Sequence, residues 1–285
     1  MMMDDSHNNG KTDPADTIGP ITQLSPLAAP GPMTEMERFI FECWGYLIIP
    51  NVLSEAECDE ALAAAKRVHG SQPAEKFKQI GRGFENEPAL ERLMDHPAVL
   101  PKVRALYGDR FVLQAAWCTV MPAASEHSSW HQDGSSAYDF KQLGFPVPLL
   151  QLRASFNLTD QSELGMGNMA LIPGSHRSPV PLPQSMRKLP AASPIQHIIR
   201  AARGSVLLFH NGVWHCPMPS QLTYDRYNMH FIYSPPWLRR SDREATDPAF
   251  LARTTPRRRA LSGDYDRPDI PFGGGGTATT IPTED

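Results

Sequence analysis

The chain has 285 residues and a formal net charge of −4, long enough for one well-filled core and too weakly charged to draw a polyanion. That excludes nucleic acid as a partner. No apolar run reaches the roughly eighteen residues of a membrane span, and Met1 to Asn9 are polar and acidic, so no membrane partner is expected and the protein reads as soluble, intracellular and cytoplasmic.

Residues 1–33, rich in Asp, Asn, Pro and Gly, read as a flexible N-terminal segment. Thr34 and Glu37 have capping-box spacing ahead of Phe39, Ile40, Phe41 and Trp44, which predicts a short helix ending at Gly45. Tyr46 to Ile49 follows as a buried strand. Ser54 and Glu57 repeat the cap, with Ala61, Leu62, Ala65 and Val68 as the apolar stripe of a second helix. A further helical stretch covers 88–107, interrupted at His96-Pro97. Phe111 to Met121 is β-branched and aromatic enough for a strand. From Leu150 to Thr159, apolar Leu150, Leu152, Ala154, Phe156 and Leu158 alternate with Gln151, Arg153, Ser155, Asn157 and Thr159, the pattern of a half-buried strand. Three more strands are expected at 169–172, 205–209 and 226–234. Helices first and strands afterwards predict a mainly β fold with flanking helices, an antiparallel sandwich or barrel, as one domain over 34–260. Residues 261–285, with glycines at 273–276, read as a flexible tail. Cys43, Cys58, Cys118 and Cys216 show no CxxC spacing and imply no disulfide framework. Arg239, Arg240, Arg243, Arg253, Arg257, Arg258 and Arg259 concentrate basic charge late in the chain, either as a solvated face or as a rim that attracts an anionic substrate.

The chemistry concentrates in His131-Gln132-Asp133, His215 and Arg226. On an extended strand residues i and i+2 share a face, so His131 and Asp133 can reach one ion, with His215 arriving from elsewhere. Two imidazoles and a carboxylate are the protein donors of a facial triad that leaves three positions of an octahedral ion open, the arrangement that suits non-haem Fe(II). Arg226 offers a planar fork of donors for the distal carboxylate of a co-substrate such as 2-oxoglutarate. A lone His-x-Asp is ordinarily a surface pair; the ordered set, each part beside a strand-like segment, favours the metal. By alternation Asn228 and His230 share a face with Arg226, where they either line the cavity or are satisfied within the sheet. Gln114 and Thr119, on the strand before the metal pair, are further candidate co-substrate contacts. His127 and His210 are not counted as ligands, because a fourth His would occupy a position that O₂ or 2-oxoglutarate requires. His176 is read as a turn residue, Trp130 and Trp214 as core, and Tyr138, Asp139 and Lys141 as part of a candidate lid.

Several segments together resemble the phytanoyl-CoA dioxygenase (PhyH) family of Fe(II)/2-oxoglutarate-dependent oxygenases: residues 39–46 with 50–54, Asp95-His96-Pro97, His131-Gln132-Asp133, residues 173–177, and 209–215 with Arg226. The resemblance covers roughly residues 35–237. It implies a double-stranded β-helix (jelly roll, cupin-like) in which His131, Asp133 and His215 bind Fe(II) and Arg226 pairs with the C5 carboxylate of 2-oxoglutarate. The implied activity uses O₂ to hydroxylate, desaturate or rearrange a small organic molecule, such as a natural-product intermediate, with release of succinate and CO₂. An intact Asp133 argues against halogenation, which needs that position vacant. One departure stands out: relatives often place a small hydroxyl residue two positions after the distal His, and here that position is Pro217. The rival readings are a non-catalytic metal-containing binding module of the same fold and a metalloenzyme of redox-neutral chemistry. Homo-oligomerisation is left open.

Overall fold

A computed structural model describes residues 26–70, 72–126, 130–135, 138–187, 195–240, 245–263 and 281. In chain order its elements are α1 (Glu35–Trp44), β1 (Tyr46–Ile49), α2 (Glu55–His69), β2 (Lys78–Gly81), α3 (Pro88–Glu91), α4 (Leu100–Tyr107), β3 (Val112–Met121), β4 (Leu152–Asn157), β5 (Met169–Leu171), α5 (Gln184–Arg187), β6 (His197–Ile198), β7 (Val206–His210), β8 (His215–Pro217), β9 (Arg226–Ser234), α6 (Pro248–Arg253) and α7 (Pro256–Leu261).

Both expected capping boxes form, on Thr34 with Glu37 and on Ser54 with Glu57. Gly45 ends α1 in the left-handed region, at φ 81°. A Cβ there would lie 2.3 Å from Val213 and 2.8 Å from His176 Nδ1, so only glycine lets α1 close against the segment that leads into β8. The interruption expected at His96-Pro97 separates α3 from α4. The late helices α6 and α7, each with Pro in its first turn and a Thr or Asp cap, were not foreseen.

The strands form a six-stranded antiparallel sheet, β1-β7-β4-β9-β3-β2, and a three-stranded sheet, β6-β5-β8. These are the two walls of the jelly roll. One face of the large sheet packs against the helices: Leu152, Ala154, Phe156, Met229, Phe231 and Tyr233 share a core with Ile40, Phe41, Ala61, Leu93 and Val103. The opposite face carries Arg153, Ser155, Asn157, Arg226, Asn228 and His230, which turn inward and line a cavity between the walls.

That placement corrects the half-buried reading of β4. The strand is covered on both faces, and its polar row faces an internal cavity rather than solvent. In β3 a register shift between Leu113 and Ala115 changes the parity, which lets Gln114 and Thr119, five positions apart, both reach the cavity.

The ordered chain also exceeds the expected boundaries. Leu27 bridges Ile48, and Ala28 is buried with its N–H donated to the Ile48 carbonyl, so residues 26–33 are not loose. Leu261 is buried in the core, and Ile281, also buried, donates its N–H to the Asp109 carbonyl. All four cysteines are free. Among the described residues no helix is long and apolar enough to cross a membrane.

Candidate metal centre and its cavity

His131 and His215 face each other across an isolated antiparallel bridge, each donating its backbone N–H to the other's carbonyl at 3.0 Å. Paired residues in such a bridge project to the same side. Asp133 does not continue a strand, as the sequence reading had it; it opens a turn, pinned by its N–H to the Asn211 carbonyl at 3.0 Å. The turn still delivers the carboxylate. Asp133 Oδ1 lies 3.9 Å from His131 Nε2 and 3.8 Å from His215 Nε2, and one ligand atom from each residue falls within 4.8 Å of the others.

His215 and Asp133 are held in forms that can bind a cation. His215 is 1 % exposed, and its Nδ1 lies 2.9 Å from the Val213 carbonyl, which fixes the proton on Nδ1. Its Nε2 is left buried without a hydrogen bond and aimed at Asp133. Burial pushes this imidazole down to about 3, so it is neutral at ordinary pH. Burial alone would raise the Asp133 carboxyl, but Arg153, followed by the two histidines, outweighs it and holds the carboxylate below its usual range. Ser175, in the turn after Pro173-Gly174, accepts the Trp214 N–H at 2.8 Å and so steadies the residue before His215.

The cavity, about 790 Å³, runs along β9. Arg226 sits at one end, 6 % exposed, and donates Nη1 to Gln161 Oε1 at 3.0 Å; its Nε is buried without a partner. Among the described residues no carboxylate pairs with it. Gly167 gives it room, since a Cβ there would stand 3.3 Å from Arg226 Nε and 2.9 Å from Met121 Sδ. Burial lowers this guanidinium only to about 10, so it enters the site charged. Asn228 donates to Asn157 Oδ1 at 2.9 Å and receives a longer bond from Gln161. Thr119 Oγ1 lies 3.1 Å from His230 Nε2. Of the two readings of Asn228 and His230, the structure combines both: they line the cavity and are bonded within it. Gln114 is placed differently, near the far end, where it donates to the Arg239 carbonyl at 2.8 Å and accepts from Gln151 at 2.5 Å.

Trp130 and Trp214 pack in a small core with Ile172 and Leu182. His176 lies in a short helical turn against the Glu42 carbonyl, and His210 accepts from the Gly212 N–H; neither joins the ligand cluster. His127 lies outside the described residues. Tyr138 lines the cavity, while Asp139 caps the turn that includes Lys141. Two functional candidates escaped the sequence reading. Gln161 carried no signal, and Arg153, which donates to Asp133 Oδ1 at 2.7 Å, was visible only as one polar member of the β4 alternation. A second concavity of about 930 Å³, beside α2, contains none of these groups.

Similarity to known proteins agrees with this geometry. A search of curated proteins returns no match. Among solved structures, the fold is similar to HygX from Streptomyces hygroscopicus with nickel and 2-oxoglutarate bound, at TM-score 0.63 and 19 % identity over 73 % of this chain and 89 % of that one. HygX has also been solved with hygromycin B bound. SnoK, a non-heme alpha ketoglutarate dependent carbocyclase from nogalamycin biosynthesis, is similar at TM-score 0.56 and 20 % identity, covering 72 % of this chain and 87 % of its own. The ThoJ–nickel complex, a non-heme monooxygenase, follows at TM-score 0.51 and 23 % identity, covering 70 % and 77 %. The family profile of phytanoyl-CoA dioxygenase (PhyH) matches residues 41–217, most of the ordered domain, and on that match the chain belongs to the PhyH family of non-haem Fe(II)/2-oxoglutarate-dependent oxygenases.

Proposed function

We propose that this enzyme oxidises a small organic molecule, a natural-product intermediate, by hydroxylation, desaturation or rearrangement, using the domain at residues 34–260. The observation that carries the reading is the convergence of His131, Asp133 and His215 in a cavity that also receives the charged Arg226, which meets no carboxylate among the described residues. The donor set fits Fe(II): two imidazole nitrogens and one carboxylate, with a buried His215 Nε2 that has no hydrogen bond. Bound Fe(II), with 2-oxoglutarate and O₂, supplies the oxidising power that removes hydrogen from the substrate. His131, Asp133 and His215 hold that ion on one side of the cavity. Arg226 takes the distal carboxylate of the co-substrate, and a buried guanidinium without a counter-charge is costly enough to make that pairing selective. Gln161 accepts from Arg226 and fixes the fork's orientation. Asn228, His230 and Thr119 line the path between Arg226 and the metal ligands. Gln114 belongs to the substrate end instead. The carboxylate at 133 favours these oxidations over halogenation, and the hygromycin B bound to HygX and the place of SnoK in nogalamycin biosynthesis support the substrate class.

Anaerobic addition of Fe(II) and 2-oxoglutarate should produce a weak visible charge-transfer band, and admission of air should release succinate. His131→Ala should lose both while remaining folded. Absence of band and succinate in the unsubstituted protein would reject the assignment.

A further inference from the structure

The two ends of the cavity differ in what they can receive. Strand register places Arg226 at the start of β9, whereas Arg153 on β4 pairs with Ile232, six residues further along. At about 3.3 Å per residue, the backbone levels are separated by roughly 20 Å, and the Arg153 side chain spans part of that distance to reach Asp133. The Arg153 level continues around the rim. Gln151, just before β4 and also lining the cavity, donates to Gln114, and Gln114 in turn donates to the Arg239 carbonyl, which fixes Arg239 over this end of the cavity.

Charge is unbalanced there. Among the described residues, Arg153, Arg226, Arg239 and Arg240 line the cavity against a single carboxylate, Asp133. A divalent metal and a dicarboxylate co-substrate cancel one another, so loading the site leaves the surplus in place. Arg240 is occupied, donating to Thr246 and to the Ser262 carbonyl. The exposed Arg239 guanidinium has no hydrogen bond or ion pair among the described residues. Arg153 gives one donor to Asp133 and keeps others, since a guanidinium carries five N–H groups. Phe77, Trp117, Tyr138 and Phe140 line the same cavity and offer an apolar bed for the remainder of a ligand.

We infer that the substrate carries an oxyanion, a carboxylate or phosphate, received by Arg239 and Arg153 at the end of the cavity opposite Arg226. The inference rests on the oxygenase reading above and narrows it to anionic substrates with an apolar body. Three probes that share one ring system separate the sources: naphthoate, naphthyl phosphate and the neutral naphthamide. Binding is measured by calorimetry to the anaerobic complex with Fe(II) and 2-oxoglutarate. At least one anion should bind tenfold or more tightly than the amide, and its identity tells carboxylate from phosphate. The preference should fall severalfold in Arg239→Gln, return in Arg239→Lys, and vanish when Arg153→Gln is added. Equal binding of the three probes, no binding of either anion, or a preference that survives both glutamines would overturn the proposal. The charge-transfer band is recorded for the unsubstituted complex and for each variant, so failure of the oxygenase reading, or loss of metal on replacing the Arg153 that bonds Asp133, is seen separately.

Discussion

Arg226 carries its charge into a buried place where no carboxylate among the described residues meets it. Arg226→Ala should therefore weaken 2-oxoglutarate binding by about 2–5 kcal/mol, thirtyfold or more, because a desolvated charge-assisted pair is lost. Titration of the charge-transfer band checks this, and unchanged affinity would show the clamp to be elsewhere. Gln161→Leu removes only the acceptor that orients the fork, so the loss should be smaller, about 1 kcal/mol. These two residues also mark what the sequence made legible. His131, Asp133, His215 and Arg226 were readable because their types and order carry chemistry wherever the strands lie. Gln161 was not, since its role depends on a loop folding back beside β9. Arg153 was written in plain view, but a guanidinium next to a metal carboxylate is a fact of register between chain segments 20 residues apart, and no local pattern states it.

At the level of elements, alternation in β4 correctly separated Leu152, Ala154 and Phe156 from Arg153, Ser155 and Asn157, and only the destination of the polar face was misread. A period of two cannot distinguish bulk water from an enclosed polar cavity. The helices were legible through their caps, and the α1 cap has a second use. Glu37 accepts from the backbone of Thr34 and Ala29 and from Lys102, whose side chain is fully buried. Burial alone would raise the Glu37 carboxyl; the bonds from Lys102, Thr34 and Ala29 outweigh it and hold it below the ordinary value of 4.5. A carboxyl lower in the folded than in the unfolded chain contributes stability above the unfolded value, and that contribution disappears as pH falls through the folded one. Urea unfolding should thus show a loss of stability below about pH 4.5 that is smaller in Glu37→Gln. An identical acid loss in that variant would remove Glu37 from the explanation.

Across the whole molecule, the late arginines close the fold, and neither expectation for them covers all of the described ones; Arg243 lies outside the described residues. Arg239 and Arg240 reach the cavity, while the mostly covered Arg258 and the more exposed Arg253 clamp α6 and α7 onto the α3 region. Arg258 donates to Asp95 and Glu91, both buried, at 2.9 Å each; Arg253 and Thr254 also donate to Glu91. Asp95, which the sequence offered only as part of a family motif, is thereby an anchor for the chain's far end. Removing one member of such a network strands buried carboxylates, so Arg258→Met should cost about 3–5 kcal/mol of stability. The effect should spread toward the cavity, since Arg240 donates to the Ser262 carbonyl at the end of α7 and follows the residue that Gln114 holds. In Arg258→Met, hydrogen exchange should quicken first in α6 and α7 and next in residues 235–240, with β4, β7 and β9 still protected. Uniform loss of protection would mean that the clamp and the metal-bearing walls unfold as one unit, whereas sparing of 235–240 would cut the link from the C-terminal arginines to the substrate end.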